Sequence, residues 1–543
     1  MRIETAAGFF AAFVAFVLYK LCVLVIKARS SPLRSLPGPP SPSWIYGNLR
    51  QIFTTGSVRM QEIWVERYGE TIRYKGWLNQ DYLYTIDTKA LSHILSHSND
   101  YQKPELARFM ISEVIGEGVV VMEGERHRKQ RRILNPAFGP AQLRGFTEIF
   151  IDKAIQLRNM WLNELSEHGQ GVRIDVMSGL NKMTLDAMGA AGFNYDLDIL
   201  RPDGKPNELA DAFQAIFGPP TGKPAVFTVL RFLFPPLRYI PTERTRRIAA
   251  ARAVIYRVGM QLLVEKKRRI LDAMAEDDKS ETRHLSLENR DLLSLLLKAN
   301  MATDIPVGQR LADDEVLAQI PTFLTAGYET TSNAAMWCLY ALTQDTELQQ
   351  KLYAELSQVH TNNPSMDDLQ ALPFLDVVVR ESLRLYAPVP SSLRVAVKDN
   401  TIPLQKPFLD VHGQLRDSID ISKGTTIDIA LLALNRSKSL WGDDALEFRP
   451  DRWKAIPDSA HSIPGVWGDL MTFLGGPRAC IGYRFAIVEI KALLFTLVRA
   501  FEFKLAVPAD EIIVRSTVVR RPLVRGEPQK GIQMPMILRP RQT

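Results

Sequence analysis

The hydrophobic pattern of the chain begins with an almost uninterrupted apolar run from Ala6 to Ile26. At 1.5 Å of rise per residue, a helix of this length spans about 30 Å, the hydrocarbon thickness of a bilayer. Lys20 interrupts the run close enough to its end for the ammonium group to reach the membrane interface. The pattern therefore predicts one transmembrane helix within an N-terminal membrane anchor over residues 1–30.

Basic residues cluster after the apolar run, at Lys27, Arg29 and Arg34, whereas Arg2 and the amino terminus precede it. Because cytoplasmic flanks carry the excess of Lys and Arg, this asymmetry places the rest of the chain on the cytosolic side. A cleaved signal peptide is the alternative interpretation. The length of the run and the position of the basic flank favour an uncleaved anchor.

Proline and then two kinds of periodicity divide the rest of the chain. The prolines of 36–40 cannot continue a helix, and they predict a proline-rich hinge over residues 31–45. Helical periodicity dominates from 138 to 297, whereas short alternating runs near both ends predict strands. Residues 46–543 are therefore predicted to form one mainly helical domain with small β-sheets.

The composition supports a globular protein and excludes some partners. Hydrophobic residues make up 46% of the chain and charged residues 23%, which suits a large buried core. Three cysteines cannot build a disulfide framework and indicate a reducing compartment. The net charge of +7 is spread along the sequence, so it predicts no nucleic-acid partner but permits a basic docking face.

One cysteine, Cys480, stands in a glycine-punctuated segment that runs from Phe473 to Gly482 and precedes a helical pattern. A helix that begins after this loop would direct free N–H groups and its positive dipole end at Cys480, favouring the iron-binding thiolate. Gly476 and Gly482 permit backbone angles and close approaches that a side chain would block. Arg478 suits an anionic cofactor edge. A buried, inert cysteine is the ordinary alternative, and the full pattern F-x-x-G-x-R-x-C-x-G argues against it.

A second chemical segment, Ala326-Gly-Tyr-Glu-Thr-Thr331, lies inside a long helical pattern. Gly327 costs about 1 kcal/mol relative to alanine in mid-helix, so close approach of a flat ligand is predicted there. A threonine hydroxyl can bond the carbonyl one turn back and open a groove. Glu329 beside Thr330 offers a carboxylate and a hydroxyl for relaying protons. Pro321 is predicted to kink or interrupt the helix.

Two further helical segments combine charges at helical spacing. Glu381 and Arg384 follow an apolar run and can pair three residues apart, and a buried arginine needs more than one partner. His127 and Arg131 share a helix face within a strongly basic segment. A solvated basic face is the ordinary interpretation of that segment.

These segments, in this order and over essentially the whole chain, resemble the cytochrome P450 superfamily of haem-thiolate monooxygenases, and the chain is most like membrane-anchored fungal members. The resemblance implies a triangular prism of helices around a buried haem b, with Cys480 as the axial thiolate ligand. It implies Glu329 and Thr330 as the catalytic pair, and Glu381, Arg384 and Arg452 as a structural triad. The residues it assigns to cofactor binding are His127, Arg131, Arg394, Phe473, Arg478 and Gly482.

The resemblance also implies a reaction and its partners. One atom of O2 is expected to enter a C–H bond of a lipophilic small molecule, a terpenoid or other secondary metabolite being the candidate. Since the chain has no G-x-G-x-x-G nucleotide fingerprint, electrons are expected from an NADPH-cytochrome P450 reductase, with cytochrome b5 as a second candidate donor. The expected location is the endoplasmic reticulum membrane, with the catalytic domain cytosolic. The basic residues predicted to supply a docking face are Lys129, Arg131, Arg132, Arg484 and Lys491.

Two other classes remain open at this stage. A haem-thiolate isomerase or dehydratase would work without a reductase, but such enzymes tend to lack the acid–threonine pair that Glu329 and Thr330 supply. A non-catalytic haem-binding protein is the other.

Overall fold

The chain is organised around one long helix, Gln319–Gln344, which contacts helices from both halves of the sequence. The computed structural model describes residues 29–55, 57–169, 171–201, 207–217, 231, 235–277, 291–302, 305–516 and 518–541, with isolated positions 15, 19, 22, 23 and 26. Helices dominate these residues and the sheets are small, as the sequence predicts.

The α-helices, numbered α1 to α18 in chain order, are Leu49–Thr55, Ser57–Tyr68, Thr88–Ser96, Glu105–Ile115, Gly124–Leu134, Pro140–His168, Val176–Phe193, Glu208–Phe217, Glu243–Asp277, Leu292–Met301, Asp313–Leu317, Gln319–Gln344, Thr346–Ser357, Met366–Gln370, Pro373–Leu385, Leu431–Asn435, Lys438–Trp441 and Tyr483–Ala500. The long central helix is thus α12, and the helix that follows the cysteine loop is α18.

The strands, β1 to β12, are Thr71–Lys75, Asp81–Thr85, Tyr101–Gln102, Arg173–Asp175, Ser392–Ala396, Asn400–Leu409, Leu415–Ile421, Thr426–Ile429, Phe501–Leu505, Ile512–Ser516, Arg520–Val524 and Pro535–Pro540. One sheet has the order β1-β2-β8-β5-β3, and another has the order β4-β12-β9. β6 pairs with β7 and β10 with β11 as antiparallel hairpins. The predicted strands near both ends of the chain are therefore present.

The apolar side chains bury themselves in a helical cluster and a sheet cluster. The helical cluster joins α6, α7, α10, α12, α15 and α18, and its largest members include Phe150 and Trp161. The second cluster covers the five-stranded sheet and includes Ile72, Leu83 and Ile427, all fully buried. The cysteine loop lies where these two clusters meet, because Met471 belongs to the sheet cluster and Phe485 to the helical one.

The acidic residues that open the long helical pattern form their own short helix, α11, and α12 begins after a break at Ala318. Pro321 has no N–H to bond the carbonyl four residues earlier, so it stands in the first turn of α12. The predicted interruption is real, but it falls three residues before the proline.

The segment predicted as a hinge packs onto the sheet. Leu33 and Leu36 are fully buried in the sheet cluster. The Arg73 N–H donates to the Pro37 carbonyl at 2.9 Å, and a Cβ on Gly38 would lie 1.8 Å from the Arg73 carbonyl oxygen. Residues 33–38 therefore belong to the folded domain, which begins earlier than the predicted boundary at residue 46.

The predicted anchor over residues 1–30 lies largely outside the described residues. Among the residues that are described, no helix has both the length and the apolar character needed to cross a membrane.

A buried charge network fixes the region behind the cysteine loop. Arg384 on α15 donates to both carboxylate oxygens of Glu381, at 2.9 and 2.8 Å, and both side chains are fully buried. Arg384 also donates to the carbonyls of Asn435, Ala445 and Glu447 at 3.0, 2.6 and 3.1 Å. One arginine thereby ties the end of α16 and the turn that follows α17 to α15.

Arg452 joins the same network, although its closest carboxylate is not the predicted one. It lies 3.4 Å from Glu381 and 2.6 Å from Asp444, and it also donates to the Trp441 carbonyl. The Trp453 indole donates to Glu381 at 3.1 Å. The acidic partner Asp444 was missed, since the sequence gives it no distinguishing pattern.

Replacing Arg384 by Met is expected to lower the free energy of unfolding by about 3–5 kcal/mol, because Glu381 would remain as a buried, uncompensated charge. The measurement is the urea midpoint of the haem-loaded protein. Arg144→Met is the control, since Arg144 forms an exposed pair with Asp367, and such pairs contribute about 0–1 kcal/mol. Equal midpoints for the two variants would contradict the proposed structural role.

Candidate active site

The cysteine loop is held by its own backbone. The Cys480 N–H donates to the Phe473 carbonyl at 2.8 Å, which closes the loop. Gly476 has φ +66°, and a Cβ there would lie 2.6 Å from the Leu95 carbonyl oxygen. Gly475 is more tightly placed still, because its Cβ would lie 1.8 Å from the Pro464 oxygen. Glycine is therefore required at 475 and 476.

Gly482 has neither the unusual backbone angle nor the close protein contact that the sequence predicts for it. Its φ is −93°, and a Cβ there would meet the Phe138 ring at an ordinary 3.6 Å. The protein itself therefore does not demand glycine at this position. Gly482 caps α18 and lines the cavity described below, which leaves approach to a cofactor as the remaining reason.

The environment of the Cys480 thiol combines opposing effects. Burial raises its pKa, while a hydrogen bond from the Gly482 N–H and the nearby Arg131 guanidinium act to lower it. Desolvation is the largest of these effects, so the pKa of the Cys480 thiol is raised in the protein by itself. This differs from the expectation that the helix end favours the thiolate. Coordination to a metal cation would favour the thiolate form.

A cavity of about 290 Å³ lies between the cysteine loop and α12. Cys480 has accessible surface only because its side chain opens into this cavity deep in the protein. The walls are mostly apolar; they include Phe138, Met188, Leu292, Phe323, Val389, Leu431 and Ile490. Cys480 faces Ala326, Gly327 and Thr330 across this space.

Gly327 packs against a flexible side chain of the neighbouring helix. Its Cβ would lie 2.1 Å from Met188 Cε, at the crossing of α7 and α12. The same crossing is fixed by a hydrogen bond of 2.9 Å from the Thr184 hydroxyl to the Tyr328 carbonyl. Because Met188 Cε is the far end of a flexible side chain and can move aside, helix packing alone does not require glycine here, and the predicted approach of a ligand remains the main reason.

Thr330 and Glu329 are separated by the geometry of the helix. The Thr330 hydroxyl donates to the Ala326 carbonyl one turn back, as predicted, and the residue lines the cavity. Glu329 instead forms an ion pair with Arg521 of β11. The sequence missed Arg521, which stands 192 residues later and has no local motif.

Several cations lie near Arg478, which lines the cavity. Burial lowers the pKa of Arg394 to about 10, and burial together with Arg108 lowers that of Arg478 to about 10. Burial, then Lys103 and Arg131, lowers the pKa of His127 to about 4, so its imidazole is neutral at pH 7. These groups come from a β-strand, the cysteine loop and α5, and their shared role in cofactor binding stays a prediction.

Lys103 is a member of this cluster that the sequence did not reveal. Burial first, and then Arg478, Arg394 and Arg108, lower its pKa well below the ordinary value. Glu123 is the carboxylate that meets the cluster, paired with Arg478 and 4.0 Å from the Lys103 ammonium. The cations outnumber it, so this edge suits a ligand with further negative charge.

Arg131 contacts the backbone of the cysteine loop. Its guanidinium donates to the Cys480-adjacent Ala479 carbonyl at 2.6 Å and to the Asn135 side chain at 2.9 Å. Arg131 therefore supports the cysteine loop from α5, in addition to any contact with a cofactor.

Asn435 links the charge network to the loop and was also missed. Its carbonyl accepts from Arg384, and its side-chain oxygen accepts from the Met471 N–H at 2.8 Å. Its amide donates to the Thr472 hydroxyl at 2.8 Å, which in turn donates to the Leu383 carbonyl. A polar residue at the end of the apolar run 430–434 was the available signal.

The donor set matches one kind of cofactor. An apolar slot faces a single soft sulfur ligand, and an excess of buried cations lies at its edge. Haem has a flat apolar body, an iron that accepts thiolate, and two carboxylates at one edge. The residues present therefore fit haem.

Comparison with known proteins agrees with this geometry. The cytochrome P450 family model matches residues 37–523. The chain belongs to the cytochrome P450 family. It is 57% identical over 529 residues to cytochrome P450 monooxygenase 205 of Postia placenta, covering 97% of each chain. It is 51% identical to cytochrome P450 monooxygenase 128 of the same fungus, covering 99% of this chain and 98% of the relative.

A more distant relative extends the comparison to a second fungus. Cytochrome P450 monooxygenase claW of Ampulloclitocybe clavipes is 34% identical over 528 residues, covering 95% of this chain and 94% of the relative. The prediction of a P450 monooxygenase that resembles fungal members is confirmed, as is haem b with a cysteine thiolate, the cofactor of the family.

Replacing Lys103 by Gln is expected to speed haem loss by about tenfold, equivalent to about 1.4 kcal/mol, because the carboxylate edge of haem would lose a partly buried cation beside it. Transfer of haem to excess apomyoglobin measures the rate. Lys398→Gln is the control, since Lys398 is exposed beyond β5 and pairs with Asp100. Equal haem loss from the two variants would remove Lys103 from the binding site.

Proposed function

We propose that this P450 hydroxylates a lipophilic small molecule with O2 and electrons from an NADPH-dependent reductase. In the overall reaction one oxygen atom enters a C–H bond and the other leaves as water, with two electrons and two protons consumed. The observation that carries the proposal is the apolar cavity with Cys480 on one side and Thr330 on the other.

Each site residue is assigned one task. Cys480 would bind the iron of haem, and bound haem would supply the oxygen chemistry, which a thiolate favours by donating electron density. His127, Arg394 and Arg478, with Lys103, hold the carboxylate edge; Phe473 and Gly482 shape the slot. The Thr330 hydroxyl positions a proton over the cavity, and Glu329 replenishes it.

The walls of the cavity favour an apolar substrate. Met188, Leu292 and Phe323 offer no charge to compensate a buried ion, so a charged ligand would pay a large desolvation cost there. A terpenoid or another apolar secondary metabolite fits these walls. Lipophilic substrates also partition into the endoplasmic reticulum membrane, where the proposed N-terminal anchor would hold the enzyme with its catalytic domain in the cytosol.

The acid–threonine pair favours oxygen activation over rearrangement. An isomerase or dehydratase acting on a peroxide needs no proton delivery for O–O cleavage, whereas Glu329 and Thr330 provide a hydroxyl at the cavity and a carboxylate beside it. The specific observation is the Thr330 hydroxyl fixed on the Ala326 carbonyl among the cavity-lining residues.

The reductase face is smaller than the sequence predicts. Lys491 is buried and lies 2.8 Å from Asp376, so it is removed from the predicted docking set. Arg131 is committed to the cysteine loop, and Lys129 lies 3.4 Å from Glu315. Arg132 and Arg484 are exposed on the two helices that flank the loop, and we assign the docking contact, for the reductase or for cytochrome b5, to them.

Replacing Cys480 by His is expected to abolish the red-shifted Soret band of the reduced, carbon monoxide-bound protein, together with NADPH-dependent product formation. Cys338→Ala is the matched control, because Cys338 is a buried thiol on α12 away from the loop. Persistence of the band in the Cys480 variant would show that the ligand is misassigned. Product formation by the unmodified enzyme without NADPH and O2 consumption would favour the isomerase class.

Reversing two charges, Arg132→Glu with Arg484→Glu, is expected to raise the KM for the reductase by about tenfold and to weaken its salt dependence, because rim charges act on association. The carbon monoxide spectrum should stay unchanged. Lys423→Glu, an exposed lysine in the turn between β7 and β8, is the control. An unchanged KM in the double variant would place the docking face elsewhere.

A further inference from the structure

The C-terminal hairpin β10–β11 is fixed against the central helix by its backbone. The carbonyl of Arg520 accepts a hydrogen bond of 2.5 Å from the Asn333 amide and one of 3.5 Å from the Trp337 indole, both on α12. The next residue, Arg521, therefore has a defined position along α12.

Arg521 uses that position to hold Glu329. Its Nε and Nη2 both contact one carboxylate oxygen of Glu329. The two side chains are only 24% and 13% exposed. An ion pair this sheltered is screened by solvent much less than one at the surface.

The pair draws the carboxylate away from the cavity. Successive residues on an α-helix point about 100° apart, so Glu329 and Thr330 cannot occupy the same face of α12. Thr330 takes the cavity face, and Glu329 takes the face under the hairpin. A carboxylate bound to Arg521 must leave it, or pass its proton through water, before it can serve Thr330.

We propose that Arg521 is a positioning residue that retains Glu329 under the hairpin, and that release of this ion pair sets when protons reach Thr330. The proposal rests on the proposed role of Glu329 and Thr330 in oxygen activation. It adds a residue outside the motif and a physical reason for the timing of proton delivery.

The hairpin also touches the wall of the cavity. The Arg520 N–H donates to the Pro388 carbonyl at 2.9 Å, and Pro388 and Val389 line the cavity. A substrate that displaced this wall would therefore act on the strand that carries Arg521. Substrate occupancy is thereby coupled to the ion pair, provided the substrate binds the released arrangement better than the retained one.

The first test measures the ion pair without turnover. Thermal unfolding of the haem-loaded protein is compared for Glu329→Gln, Arg521→Gln and the double variant. Because removal of either partner breaks the same interaction, the Tm of the double variant is expected to match that of the single variants. Additive Tm losses would show that the pair does not form in solution and would overturn the proposal.

The second test measures proton timing without a known substrate. In the presence of purified NADPH-cytochrome P450 reductase, Arg521→Gln is expected to oxidise NADPH about tenfold faster than the unmodified enzyme when no substrate is added. Each O2 then takes two electrons from NADPH and two protons to leave as hydrogen peroxide. Arg521→Lys should restore most of the slow rate, because lysine can still pair with the carboxylate.

The matched control is Arg515→Gln. Arg515 is the exposed cross-strand partner of Arg521 on β10, so this change removes the same charge from the same hairpin. Its NADPH oxidation and Tm are expected to stay at the unmodified values. A rate rise in Arg515→Gln equal to that in Arg521→Gln would overturn the proposal in favour of a general hairpin effect.

The double variant distinguishes a failure of the retention of Glu329 by Arg521 from a failure of the proposed role of Glu329 in proton delivery. If Arg521→Gln raises the rate and Glu329→Gln with Arg521→Gln returns it to the slow value, the retention of Glu329 is supported. An unchanged rate in Arg521→Gln overturns the retention alone, and the role of Glu329 still stands on the slower product formation of Glu329→Gln. An equally fast double variant shows that Glu329 delivers no protons, and both ideas fail.

Discussion

The structure depends first on the compensation of one buried guanidinium. Arg384 is fully buried, and a charge in that position is stable only when its donors are all satisfied. Glu381 neutralises it, and three backbone carbonyls from 435–447 complete its shell. Asn435 in turn bonds to residues 471 and 472, and the Phe473 carbonyl next to them accepts from the Cys480 N–H. The position of the iron ligand therefore depends on a buried charge pair about a hundred residues earlier in the chain.

The cavity built on this frame is asymmetric in charge. Its walls are apolar, one face carries a thiol, and one edge carries Lys103, Arg394 and Arg478, whose pKa values are all lowered. A lowered pKa on a cation means that the protein alone disfavours its charge, so these groups gain most when an anion binds beside them. The cavity therefore suits an apolar body with an anionic edge, and under the proposed assignment the residues whose charge the protein alone disfavours would stabilise its complex with haem.

The sequence predicts the elements and residue pairs that depend on neighbouring residues. It misses the contacts between residues that are distant in the chain and meet only in the fold. The cysteine loop, the helix after it, the strands at both ends and the Glu381–Arg384 pair all depend on neighbours within a few residues, so each left a readable pattern. Lys103 and Arg521 have no such pattern, since their partners lie far away in the chain, and Asn435 is marked only by its place after an apolar run. The burial of Lys491 was invisible for the same reason: its partner Asp376 belongs to another helix.

The acid–threonine pair shows how far adjacency in sequence differs from adjacency in chemistry. Glu329 and Thr330 are neighbours in the chain, but the helix turns them to different faces, and only Thr330 meets the cavity. The role of Glu329 then depends on the group that its carboxylate contacts, and here that group is a cation on the C-terminal hairpin. A chain with the same motif and a neutral residue at the position of Arg521 would leave its carboxylate free to turn. Under the proposed function, the motif makes proton delivery possible, and the ion pair with the hairpin sets the conditions for it.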